Sequence, residues 1–140
     1  MAGRARRALT APQGEALVLD ADGVSKAAAN DPRVRGYLLA AGRLGVPVVV
    51  SAVTLAETLR GSRADAAVFR VLNAAEVRPV TPEVARAAGE LLGATGRDDT
   101  VDALVAVTAA TCGRARLLTS DADDLTALTE HLPGVRVVRV

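Results

Sequence analysis

Hydrophobic residues in this chain fall into short apolar runs that alternate with segments of helical spacing. Runs of four to six residues rich in valine and leucine are typical of strands buried in a parallel sheet. We therefore predict five strands, at 16–20, 46–50, 76–80, 116–119 and 135–140. Pro79 places the third of them at a sheet edge, because proline has no amide to donate to a neighbouring strand.

Helical segments with recognisable start and stop signals lie between the runs. Asp31-Pro32 and Thr81-Pro82 are favourable helix starts, and Gly113 is a favourable stop. We predict helices over 22–29, 32–44, 52–60, 63–73, 82–93, 100–111 and 121–129. The helix over 100–111 is apolar on nearly every side, which predicts burial. Alternating strands and helices indicate an α/β fold, a three-layer α/β/α sandwich with a mostly parallel central sheet.

Composition narrows the classes of protein that the chain can belong to. Its 140 residues suit one domain, which we place at 15–140 after a flexible N-terminal arm at 1–14. One Phe, one Tyr and no Trp leave no aromatic platform for stacking nucleic-acid bases, and a net charge of +1 gives no general basic field. The single cysteine and the lack of a membrane-length apolar run predict a cytoplasmic protein without a membrane span.

Four acidic residues occupy positions that a parallel sheet would bring together. Asp20 and Asp121 follow predicted strands, Glu57 lies on the helix after the second strand, and Asp102 lies on the helix before the fourth. Sites in such sheets form beyond the carboxyl ends of the strands. Grouped carboxylates repel one another unless a cation compensates them, and hard oxygen ligands select Mg²⁺ or Mn²⁺. The pattern suggests a divalent-metal site.

Helical spacing extends this acidic set, and helix capping offers a competing interpretation. Asp99 lies three residues before Asp102, and Asp124 lies three residues after Asp121, so each pair shares a helix face. Asp99 and Asp124 are therefore candidate auxiliary ligands. Aspartate is also a favoured N-cap, and Asp20, Asp99 and Asp121 each precede a helix. Asp102 is harder to explain structurally, because an unpaired carboxylate within an apolar helix is costly.

Four motifs in order resemble the PIN domain, especially that of VapC-type toxins. They are an apolar strand ending in Asp at 17–21, a strand and helix with an internal Glu and a following Arg-Gly at 48–61, an Asp with small apolar residues at 102–106, and a Thr-x-Asp strand end with a second Asp three residues on at 119–125. The resemblance covers about 16–140. One departure is Asp22, which adds negative charge where the family often has a small or aliphatic residue.

The resemblance implies an endoribonuclease that depends on Mg²⁺ or Mn²⁺ and acts on RNA. Asp20, Glu57, Asp102 and Asp121 would carry over as metal ligands, with Ser51 and Thr119 as supporting hydrogen-bonding residues. It also implies a homodimer silenced by a cognate antitoxin protein. The candidates for contact with RNA phosphates are Arg60, Arg63 and Arg97, for each of which a solubilising surface role is the alternative.

Two other functions remain open from the sequence. Asp20-Ala21-Asp22-Gly23-Val24 looks like the nucleophile motif of haloacid-dehalogenase-like phosphatases, in which Asp20 would attack phosphorus. That family needs a basic residue well downstream, and Lys26, the only lysine, is too close. The second alternative is a non-catalytic PIN-like binding module, in which the four acidic residues would have no assigned function.

Overall fold

The computed structural model describes residues 15–140, so the predicted arm at 1–14 lies outside the described part of the chain. Its strands are β1 Glu15–Leu19, β2 Val48–Ser51, β3 Glu76–Arg78, β4 Arg114–Thr119 and β5 Val135–Arg139. Its helices are α1 Ala21–Ala28, α2 Pro32–Leu44, α3 Ala52–Thr58, α4 Asp65–Asn73, α5 Pro82–Thr95, α6 Thr100–Thr111 and α7 Ala122–Thr129.

All five strands form one parallel sheet in the order β3-β2-β1-β4-β5. The chain moves from β1 outward through β2 and β3, then returns to the other side of β1 as β4. The strand order therefore reverses between β1 and β4, and in sheets of this kind a crevice opens at that point beyond the carboxyl ends of the strands. The edge position predicted for the strand before Pro79 is confirmed.

Helices cover both faces of the sheet, which confirms the three-layer sandwich. On one face, α5, α6 and α7 bury residues such as Leu91, Val105 and Leu128 against the sheet. On the other face, α1, α2 and α4 contribute Val24, Val34 and Leu72. The burial predicted for the apolar helix is also confirmed, since six of the seven residues from Ala103 to Ala109 are buried and Leu104 is the exception.

Helix ends follow local signals, and several boundaries differ from the predicted ones by about two residues. The second strand begins at Val48 rather than at 46, and α3 ends at Thr58 rather than at 60. Helix α5 continues to Thr95, past the predicted end at Gly93, because Gly96 adopts the left-handed cap conformation with φ of 70°. Within the described residues, no helix is both long and apolar enough to cross a membrane.

Candidate metal centre

The four acidic residues singled out from the sequence lie around the carboxyl edge of the sheet. Asp20 directly follows β1, and Asp121 follows β4 after Ser120, on the two sides of the point where the strand order reverses. Asp102 lies in the first turn of α6. Glu57 is the second-last residue of α3, which starts at the end of β2.

Three carboxylates form the tightest acidic group found among residues 15–140. One oxygen each from Asp102, Asp121 and Asp124 lies within 4.8 Å of the other two. Asp124 enters this group because it lies three residues after Asp121, one helical turn along, as the sequence spacing suggested. Asp20, Glu57 and Asp99 are not members of this three-residue group.

Charge repulsion nevertheless connects the outer carboxylates to the group. Burial first, and then the nearby charge of Asp99, raises the pKa of Asp102 to about 7, and Asp121 and Asp20 contribute further. Burial is also the main cause that raises the pKa of Asp20, which is only 8% exposed. Partial desolvation, followed by the charges of Asp20 and Asp99, raises the pKa of Glu57. The site therefore carries negative charge that its own residues do not fully balance.

Asp121 lies in the same field but on the surface. The neighbouring charge of Asp124 is the first cause that raises its pKa, followed by desolvation. The sequence left open whether Asp121 is a helix cap. In the structure Asp121 occupies the N-cap position of α7, but its side chain makes no capping hydrogen bond. Its carboxylate is thus not engaged in capping.

Asp20 and Asp99, by contrast, act as helix caps. The Gly23 amide donates a hydrogen bond of 2.8 Å to Asp20 Oδ1 at the start of α1. The Asp102 amide donates one of 2.9 Å to Asp99 Oδ1 at the start of α6. The capping interpretation is correct for both residues, and for Asp20 it coexists with a buried position beside the acidic site.

The two predicted supporting residues are buried and hydrogen-bonded. Thr119 Oγ1 accepts a 3.0 Å hydrogen bond from the Asp121 amide, and its hydroxyl also lowers the pKa of Asp20 against the dominant effect of burial. Thr119 thus links the chain segments that follow β1 and β4. Ser51 caps α3 through a 3.3 Å hydrogen bond from the Val53 amide, which fixes the start of the helix that carries Glu57.

The three candidate arginines differ in what already holds them. Arg97 forms an ion pair with Asp124, a member of the acidic group. The Arg60 guanidinium donates 2.9 Å hydrogen bonds to the carbonyls of Ala56 and Leu59 at the end of α3. Arg63 is exposed in the loop before α4. Arg97 therefore acts first as an internal cation of the acidic site.

Asp65 shapes this end of the molecule, and the sequence reasoning did not single it out. Its carboxylate is buried and accepts hydrogen bonds from the Arg60 and Gly61 amides, at 3.1 and 2.7 Å. These backbone donors, led by Arg60, lower the pKa of Asp65. They hold the α3–α4 loop in place, with Gly61 at φ of 75°. The sequence feature that could have indicated this role is an Asp four residues after the Arg60-Gly61 turn.

The chemistry of the donor set fits a divalent cation. The group supplies only carboxylate oxygens, which suit hard cations. Burial and the charge of neighbouring carboxylates raise the pKa values of Asp102 and Asp121, the condition that a bound cation relieves. The single internal cation in contact with the group, Arg97, balances Asp124 and leaves Asp102 and Asp121 without an ion pair in the described residues.

Comparisons with known proteins identify the family. The family model of the PIN domain matches residues 17–130, so the chain belongs to the PIN domain family. PIN domains are typically nucleases that use a divalent metal, and the acidic site described above agrees with that class. No curated protein matches the chain significantly.

Several solved structures that resemble this fold are described as VapBC or toxin–antitoxin complexes. A chain of the DNA-bound VapBC2 complex of Rickettsia felis has a TM-score of 0.69 and 16% identity, with 89% of this chain and 98% of that one covered. A toxin–antitoxin complex from Klebsiella pneumoniae gives 0.66 and 17%, with 89% and 100% covered. VapBC-5 of Mycobacterium tuberculosis gives 0.54 and 25%, with 91% and 99% covered. They support the resemblance to VapC-type PIN toxins.

Proposed function

We propose that this protein is a divalent-metal-dependent endoribonuclease and the toxin of a toxin–antitoxin pair. The observation that carries the proposal is the convergence of Asp102, Asp121 and Asp124 at the carboxyl edge of the sheet, with Asp20 close enough for its charge to raise the pKa values of Glu57 and Asp102. Membership of the PIN family supports hydrolysis of a phosphodiester bond. It does not support the phosphatase alternative based on Asp20.

In this proposal Asp20, Glu57, Asp102 and Asp121 hold Mg²⁺ or Mn²⁺, with Asp124 as an auxiliary ligand. The ion would activate the attacking water and stabilise negative charge on the phosphoryl oxygens. Thr119 and the α1 amide at Gly23 hold Asp20 in place. Asp99 contributes as a cap that fixes the first turn of α6, and so the position of Asp102, rather than as a direct ligand.

The arginines have separate roles in the proposal. Arg97 holds Asp124 and orients it toward the group. Arg63, exposed in the loop before α4, is the arginine of the three that is most open to contact with an RNA phosphate. Arginine suits this contact because its guanidinium binds phosphate in a bidentate manner.

A cognate antitoxin and a second copy of the chain complete the proposed assembly. Helices α1, α2 and α4 and strand β2 surround a mainly apolar cavity of about 450 Å³. Small and aliphatic side chains such as Leu38 and Val71 line most of it, together with Asn30 and Arg70. We assign this cavity to an apolar segment of the antitoxin, on the ground that the structural neighbours come from toxin–antitoxin complexes. Ala67→Glu at its lining should abolish protection by the co-expressed antitoxin while growth arrest remains.

Induced expression with RNA profiling tests the catalytic proposal. The wild type should arrest growth and release discrete RNA fragments, and Asp20→Asn should do neither. Asp123→Asn is the matched control, because Asp123 is exposed, pairs with Arg139 and lies outside the acidic group. If Asp20→Asn is as toxic as the wild type, or if the purified wild type with Mn²⁺ leaves cellular RNA intact, the proposal is wrong.

A further inference from the structure

A cavity lined by charged residues lies at the opposite end of the sheet from the carboxylates. It has a volume of about 500 Å³ and forms where β1, β4 and β5 begin. Its charged lining residues are Glu15, Arg114, Arg116 and Arg136, and the other lining residues, such as Pro133 and Gly134, are small. The cavity therefore combines three positive charges with one negative charge.

Strand geometry brings the three arginines onto one face. Arg114 and Arg116 are two residues apart on β4, so both side chains leave the same side of the sheet. Arg116 pairs in register with Arg136 on β5. Neighbouring strands lie about 4.8 Å apart, so two like charges stand next to each other across the β4–β5 pair. Such a pair is unfavourable without an anion between or above its members.

Among residues 15–140, Glu15 lies opposite Arg114 across the β1–β4 pair and offsets part of this charge, whereas Arg116 lies opposite Leu17 and beside Arg136. Within residues 15–140, the ion pairs involve other arginines, and no side-chain hydrogen bond is made by Arg114, Arg116 or Arg136. Glu15 lines the same cavity but forms no ion pair with them. All three arginines are exposed, so their guanidinium groups are accessible to a ligand.

We propose that this arginine cavity binds phosphate groups of the RNA substrate at a distance from the cleavage site. The inference rests on the proposed ribonuclease function. Adjacent guanidinium groups can donate bidentate hydrogen bonds to the oxygens of a phosphate group. Along β4, the five steps from Arg114 to Thr119 separate the cavity from the acidic edge by about 17 Å. Because helices cover both faces of the sheet, an RNA that reaches both ends must pass around them, and so spans more than the about five phosphates that one strand of helical nucleic acid places in that length.

The geometry therefore favours a folded RNA, long enough to reach both ends of the sheet. The low net charge of the whole chain makes a local cluster of this kind the more important for binding. An acidic peptide and a small phosphorylated molecule are the other occupants with suitable charge. They become outcomes of the test.

The test compares the double variant Arg116→Gln/Arg136→Gln with a control of equal charge change, Arg33→Gln/Arg86→Gln. Arg33 and Arg86 are exposed on α2 and α5 and do not line the cavity. Binding of a folded transfer RNA is measured in EDTA over a range of salt concentrations, so that cleavage does not interfere. The cavity variant should bind about tenfold more weakly, and its salt dependence should fall by about two counterions. The control should lose neither.

Further measurements separate the failures. Equal losses in both double variants, or none in either, would overturn the proposal. So would a loss of binding of ATP or polyglutamate with RNA binding unchanged. Cleavage of RNA by the wild type with Mn²⁺ is measured in parallel. If the wild type cleaves RNA and the cavity variant binds RNA as tightly as the wild type, only the arginine cavity is disproved. If the wild type neither binds nor cleaves RNA, both proposals are disproved. If the double variant unfolds at a lower temperature than the wild type, the RNA-binding measurement is repeated with the single variant Arg114→Gln.

Discussion

Asp102 combines two properties that oppose each other at the scale of a single residue. It lies in the first turn of a buried helix, where the helix dipole favours a carboxylate. Burial and the charge of Asp99 nevertheless raise its pKa to about 7. The folded protein therefore binds a proton at Asp102 more tightly than the unfolded chain does. Without a metal ion, this residue lowers the stability of the fold at neutral pH.

Asp102→Asn should consequently stabilise the metal-free protein, by about 1–2 kcal/mol once solvent screening is allowed for. Because the folded pKa lies above the unfolded value of 3.8, the cost of the carboxylate develops as pH rises from about 4 to 7 and is complete above 7. Thermal unfolding in EDTA from pH 4 to 8 measures this. Glu90→Gln, an exposed site on α5, is the control. A difference between Asp102→Asn and wild type that does not grow with pH would contradict the argument.

Thr54 presents a different cost at the residue scale. It is fully buried in α3, and its Oγ1 is the buried side-chain polar atom in residues 15–140 that lacks a hydrogen-bond partner. Valine has a similar shape without the hydroxyl, so Thr54→Val should raise the free energy of unfolding by about 1 kcal/mol. Urea denaturation measures the change. A loss of stability would instead mean that a bound water satisfies the hydroxyl.

At the scale of elements, the crossing of Gly113 and Gly134 sets how β4 and β5 begin. A Cβ on Gly134 would lie 1.9 Å from the Gly113 carbonyl oxygen, and that oxygen belongs to the backbone. The Ala115 amide also donates a 2.9 Å hydrogen bond to the Gly134 carbonyl. The two strands can start side by side only because Gly134 has no side chain.

Gly134→Ala should therefore destabilise the protein by about 2–4 kcal/mol. Gly93→Ala is the matched control, since a Cβ there meets nothing within 4 Å and the residue lies inside helix α5. That substitution should stabilise by about 0.5–1 kcal/mol. Chemical denaturation measures the change in the free energy of unfolding for both variants. If the two variants change stability equally, the close approach at Gly134 is not a constraint.

At the scale of the whole molecule, the sheet separates two charged ends, one acidic and one basic. A cation bound at the acidic end should stabilise the fold, because the unfolded chain cannot hold the carboxylates together. At a concentration of Mn²⁺ one hundred times its dissociation constant, the gain is about 2.7 kcal/mol. Asp121→Asn should remove most of it, and Asp123→Asn should retain it. Thermal unfolding with and without Mn²⁺ distinguishes them, and equal gains in both variants would contradict a site built on Asp121.

The amino-acid sequence determined the order of strands and helices, the parallel sheet and the family. Continuous apolar runs, proline starts and glycine stops are local signals, and α2 and α6 have the bounds that those signals predict. The position of Asp20 after the first strand and of Asp121 after the fourth follows from the same pattern. Strand ends in a parallel sheet share an edge, so sequence alone could place these residues together.

The tertiary structure alone decided which side chains meet. Helical spacing made both Asp99 and Asp124 candidate ligands, but the packing of α7 against α6 brings only Asp121 and Asp124 up to Asp102, while Asp99 is engaged as a cap. The ion pair of Arg97 with Asp124, 27 residues apart, has no signal in the sequence. The register of β4 with β5 sets Arg116 beside Arg136, because a shift of one residue would pair Arg116 differently and place one side chain on the opposite face.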